Sequence, residues 1–140
     1  MADPYCLAML LCDGIHQDPA TGKHTLLGTF STVTAETFPA HIQFCIYFAI
    51  TDGLGKIPLK LRIVQAEADL AGNAEAAAWE SPELEVMFPS PLMVCESTVR
   101  NIPVILEKVG VYFCELYSGG TLLMSRRLLA LDPSGVQGDE

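Results

Sequence analysis

From Ile42 to Ile50 every second residue is large and apolar: Ile42, Phe44, Ile46, Phe48 and Ile50. A period of two is the signature of a β-strand, whose successive side chains point to opposite faces. The intervening residues, Gln43, Cys45, Tyr47 and Ala49, also carry bulk, so this strand is expected to lie centrally in its sheet. The pattern returns over Lys56 to Gln65, with Ile57, Leu59, Leu61 and Ile63 inward and Lys60 and Arg62 outward. Pro58 has no amide to donate and marks a strand edge or a bulge there.

Further short apolar runs bounded by Gly, Pro and Asp predict the remaining strands. Tyr5 to Cys12 is continuously apolar, as a strand covered on both faces would be, and His24 to Val33 alternates. Leu84, Val86 and Phe88 alternate with Glu83 and Glu85; after the break at Pro89-Ser90-Pro91 a strand is expected over Leu92 to Arg100. Val111 to Tyr117 and Thr121 to Leu131 flank Ser118-Gly119-Gly120, and Gly119 and Gly120 supply the positive φ that a tight hairpin turn demands. Together these predict an all-β sandwich of seven to nine strands. Residues 66–80 are rich in alanine and acid, contain Trp79 (the one tryptophan), and are expected to form a short loop or helix. Residues 1–132 are expected to form a single domain, followed by a polar, disordered tail over 133–140.

The formal net charge of -9 argues against nucleic acid and anionic membrane as partners, because binding a polyphosphate surface needs concentrated Lys and Arg. No stretch approaches the roughly 20 apolar residues of a membrane helix, and Met1-Ala2-Asp3-Pro4 lacks the basic start of a signal peptide. A cytoplasmic location is expected. Cys6, Cys12, Cys45, Cys95 and Cys114 contain no CxxC pair and sit in apolar strands, so they are expected as small buried hydrophobes in a reducing compartment.

Glu107-Lys108-Val109-Gly110-Val111-Tyr112-Phe113-Cys114 resembles the corner and F strand of an immunoglobulin-like domain. The resemblance implies that the Tyr112 hydroxyl bonds back to the preceding turn. No tryptophan lies in the strand that holds Cys45, which departs from that pattern. Leu11-Cys12-Asp13-Gly14, Thr21-Gly22-Lys23 through Gly28-Thr29-Phe30, Ile50-Thr51-Asp52-Gly53 with Gly55-Lys56, and Val109-Gly110-Val111-Tyr112 through Arg126-Arg127-Leu128 are similar to an uncharacterised family of short bacterial proteins of unknown function. That similarity implies a β-sandwich of this size and no activity, cofactor or partner.

With strands running up and down in order, the loop Asp13 to Lys23 and the turn Thr51 to Gly55 would share one end of the sandwich. Asp13, His16, Asp18, His24 and Asp52 would then be weak candidates for a calcium or transition-metal site. Asp13-Gly14, Asp18-Pro19 and Asp52-Gly53 are also ordinary turn chemistry, and that assignment is preferred. Gly53-Leu54-Gly55-Lys56 and Thr21-Gly22-Lys23 lack the spacing and following hydroxyl residue of a phosphate loop. The three histidines, His16, His24 and His41, accompany no G-x-S-x-G or HExxH, so no enzyme is expected. Arg126 and Arg127 are adjacent, so one must face each side of its strand, and they are weak candidates for an interaction site.

The expected function is a non-enzymatic protein-interaction or scaffold module without a cofactor. Its partner would be another protein or a second copy, met through a sheet face or an edge strand, with a homo-oligomer as one form. The alternative is a small-ligand or metal-binding sandwich using residues 13–24 and 51–55.

Overall fold

The computed structural model describes residues 3–66 and 77–134. They form ten strands: β1 (Tyr5–Gln17), β2 (His24–Thr29), β3 (Thr32–Thr34), β4 (Ala40–Thr51), β5 (Gly55–Gln65), β6 (Ala77–Glu80), β7 (Leu84–Phe88), β8 (Cys95–Leu106), β9 (Gly110–Ser118) and β10 (Thr121–Leu131). One sheet has the order β2-β1-β4-β8; the other has β3-β10-β9-β5-β6, with β7 also paired to β5. The two pack face to face as a β-sandwich.

Its core is the alternating set that the period of two marks out. Phe44, Ile46, Phe48 and Ile50 from β4 meet Leu59, Leu61 and Ile63 from β5, with Tyr112, Cys114 and Leu116 from β9 and Leu128 and Ala130 from β10. Each is nearly devoid of solvent contact, and burying one of the Leu, Ile or Phe side chains contributes about 1.5–3 kcal/mol.

Ten strands exceed the seven to nine expected, for two local reasons. The segment expected as one strand from His24 to Val33 divides after Thr29, because β3 crosses to the other sheet and pairs in parallel with β10. The alanine-rich segment ends in a strand: Ala77–Glu80 is β6, where Ile63 faces Trp79 across the ladder. The rest of that segment, 67–76, lies outside the described residues, as do residues 135–140 of the expected tail. Helical propensity in alanine is weak against the pairing edge that β5 offers.

β5 changes partners along its length. Gly55 to Leu59 pair with β7, and Arg62 to Val64 pair with β6. Between them the buried Ser81 accepts the Leu61 amide hydrogen at 2.9 Å and donates to the Pro82 carbonyl at 2.8 Å, replacing the ladder bonds lost at the jog. Pro58 sits where β5 pairs only with β7, since pairing with β9 begins at Lys60.

At the corner before β9 the Tyr112 hydroxyl donates to the Lys108 carbonyl at 2.8 Å and accepts the Lys108 amide at 3.3 Å. This is the tyrosine corner of an immunoglobulin-like sandwich. The β9–β10 turn is Gly119-Gly120, with φ of 55° and 87°. Two positive φ values in a two-residue loop match the twist of the strands they join.

Candidate functional site

Antiparallel pairing of β1 with β4 sets Tyr5 beside Thr51 and Cys12 beside Cys45. Asp52 therefore lies beside the start of β1, while Asp13, His16 and Asp18 lie toward and just past its other end, more than roughly 23 Å of strand away. The shared end expected for residues 13–24 and 51–55 does not exist: β3 changes sheets, so β4 pairs directly with β1. Asp13 and His16 are in β1, which continues to Gln17, and not in a loop. Among the described residues no group of three His, Cys, Asp or Glu is placed to hold a metal ion.

Each of those side chains has a local place. Asp18 accepts the Ala20 amide at 2.9 Å and the Thr21 hydroxyl at 3.0 Å, and these bonds hold its carboxyl below the usual range. The Asp13 carboxylate lies so close to Gly28 (φ 66°) that a Cβ there would stand 2.5 Å from Oδ2. His16 and His41 are exposed. Arg126 lies opposite Cys114 with the parity of the inward Leu128 and Ala130, and is half-buried; Arg127 lies opposite Phe113 and is exposed. Neither takes part in an ion pair among the described residues.

Each outer face of the sandwich carries a cluster of side chains, and the four-stranded sheet also leaves Leu7 and Ile105 exposed. On the β5 side a charge ladder crosses three strands: Arg62 lies 3.2 Å from Glu80 on β6 and 3.9 Å from Glu115 on β9, and Lys60 lies 3.2 Å from Glu80. The Tyr117 hydroxyl donates to Glu115 at 3.0 Å. A shallow hollow of about 420 Å³ beside it is lined by Lys60, Arg62, Glu80, Glu83 and Tyr117. On the β4 side the far part of the β1–β2 hairpin covers Cys12 and Cys45 with Ile15 and Leu26. Arg100 donates to the Ile15 carbonyl, and the His24 ring lies 5.4 Å from that of Tyr47. Tyr47 in turn donates to Glu96; burial and that bond push its hydroxyl up to about 12.

The sheet edges are interrupted as well. β8 carries a bulge at Arg100-Asn101, with Asn101 at φ 56°, followed by Pro103. β3 has three residues, and β6 and β7 are separated by Ser81-Pro82-Glu83. Bulges, prolines and short edge strands all hinder the addition of another strand.

The end of the sandwich at Thr51 is different. Two turns meet there, Asp52 to Leu54 and Pro89 to Val94, tied by the Asp52 amide donating to Pro91 O at 3.1 Å and the Thr51 hydroxyl donating to Met93 O at 2.9 Å. Ser90 braces the second turn, its hydroxyl accepting the Leu92 amide and its carbonyl accepting that of Met93. These bonds hold four apolar side chains in solvent: Leu92 at 91% exposure, Leu54 at 59%, Val94 at 50% and Met93 at 47%. Tyr5 and Met87, both more than half exposed, border them through the Tyr5–Thr51 and Met87–Lys56 pairs. Leu92 to Val94 were expected in a strand, which instead begins at Cys95. The signal for a turn is Ser90, a residue that bonds backbone two positions on, directly after the Pro89 break.

A family model, the Family of unknown function (DUF6941), matches residues 7–130. The chain belongs to the DUF6941 family. Comparison of this DUF6941 chain with curated proteins gave no match. Among solved structures it is similar to an immunoglobulin-like protein from Pseudomonas aeruginosa, with 13% identity over 92% of this chain and 97% of that one and a TM-score of 0.42.

Proposed function

We propose that this DUF6941 protein is a non-enzymatic interaction module that self-associates through the apolar end formed by Leu54, Leu92, Met93 and Val94. The observation that carries this is the braced turn that holds Leu92 almost fully exposed. A flexible loop would let such residues fold back onto the protein; here the backbone bonds prevent it. Contiguous exposed apolar residues on a rigid element are the usual mark of a contact surface. Burying Leu92 alone would contribute about 2 kcal/mol to association.

A second copy is the partner because of how charge is distributed. The chain is acidic, and its flanks carry Glu83, Glu85 and Glu96, so two copies meeting side by side would repel. An end-to-end contact brings the apolar side chains of the two turns together, with Asp52 as the one charged residue of those turns, and keeps those flanks apart. The interrupted edges point the same way, moving the expected contact from a sheet face or edge strand to an end. Sedimentation velocity across micromolar concentrations tests it: a concentration-dependent dimer abolished by Leu92→Asp supports the module, and a strict monomer removes it.

A further inference from the structure

Cys12 and Cys45 are direct partners in the β1–β4 register, and both are free thiols. They face away from the main core, since β4 turns Phe44 and Ile46 inward and Cys45 outward. Facing residues on antiparallel strands have Cα atoms about 4.5 or 5.5 Å apart. Both spacings fall within the roughly 4.4–6.8 Å that a disulfide spans. No other pair of strand cysteines has this relationship: Cys6 and Cys95 lie on opposite sides of Ile50, and Cys114 points into the core between the sheets. The bridge between sheets that an immunoglobulin-like domain places between its B and F strands is therefore closed to Cys45 and Cys114.

We propose that Cys12 and Cys45 form a reversible disulfide site whose oxidant is a low-molecular-weight disulfide. Cys45 is 4% exposed and Cys12 is 0% exposed beneath Ile15 and Leu26, so Cys45 reacts first. Its thiolate attacks one sulfur of the small disulfide, a protein–small-molecule disulfide forms, and one small thiol leaves. The Cys12 thiolate then attacks the Cys45 sulfur, the Cys12–Cys45 bond forms, and the second small thiol leaves. The protein gives up two protons and two electrons, and the small disulfide is reduced to two thiols. Burial pushes the Cys12 thiol up, with Cys45 beside it acting in the same direction, so the second step is the slow one. The hairpin segment covering the pair is held by Arg100 at the Ile15 carbonyl, and lifting that segment opens the site.

The test incubates the folded protein with oxidised glutathione and maps disulfides by mass spectrometry without reduction. The expected product has lost two hydrogens, links the Cys12 and Cys45 peptides alone, melts about 5 °C higher, and reverts with dithiothreitol. Cys12→Ser should stop the reaction at glutathione on Cys45. Wild-type protein that keeps both thiols free, stops at a glutathione adduct, or links either cysteine to Cys6, Cys95 or Cys114 would overturn the proposal.

Discussion

The hydroxyl of Thr51, the last residue of β4, donates to the carbonyl of Met93 at 2.9 Å, and so joins the turn before β5 to the turn before β8. Neighbouring bonds from Asp52 to Pro91 and from Met93 to Ser90 make the two turns one platform. These bonds occupy the amides of Asp52, Leu92 and Met93, and Leu54, Leu92, Met93 and Val94 are left facing water beside Asp52.

Thr51→Val keeps the shape of the side chain and removes the donor. The Met93 carbonyl retains access to water, so the expected loss of stability is about 1 kcal/mol by urea denaturation. Self-association should weaken as well, although no residue of the apolar cluster has changed, because the turn that presents Leu92 is no longer braced from β4.

Ser81→Ala removes the acceptor for the Leu61 amide in a buried position. An unpaired buried donor costs about 1–3 kcal/mol, and the variant should lose stability in that range by urea denaturation. A change within error would mean that β5 does not need Ser81 to pass from β7 to β6.

Tyr112→Phe takes away the hydroxyl that both donates to and accepts from Lys108. The ring keeps its place in the core, so the expected cost is about 1–2 kcal/mol with the fold intact by circular dichroism.

Tyr47 should remain protonated in the folded protein until about pH 12, whereas an unfolded tyrosine titrates at about pH 10. The folded state then binds more protons than the unfolded state between those values, so stability is full below about pH 10 and falls as pH rises toward 12. Comparing alkaline unfolding of the wild type with Tyr47→Phe checks this: the variant should lose part of the pH dependence in that window.

The strands of the core were legible in the sequence because one buried face imposes a period of two, as in Ile42 to Ile50 and Lys56 to Gln65. The Tyr112 corner and the Gly119-Gly120 turn were legible because each depends on residues adjacent in the chain. The pairing partners were not. Up-and-down order placed Asp13 and Asp52 together, and only the passage of β3 to the other sheet, a long-range event, separates them. β6 was missed because Ala77 and Ala78 carry no strand pattern of their own and pair where β5 offers an edge. The apolar end was hidden for a related reason: Leu92, Met93 and Val94 read as the start of a strand, and the bonds from Thr51 and Asp52 that tie their turn in place come from a part of the chain about forty residues away.

The central claim is that this end of the sandwich is a contact surface between copies of the chain. Multi-angle light scattering over a range of concentrations, on the wild type and on Leu92→Asp, tests it most directly. The predicted result is a wild-type mass that rises with concentration toward twice 15.1 kDa, and a variant that stays at 15.1 kDa with unchanged melting, since Leu92 makes almost no buried contact within its own chain. A wild type that holds 15.1 kDa throughout, or a variant that associates as well as the wild type, would contradict the claim.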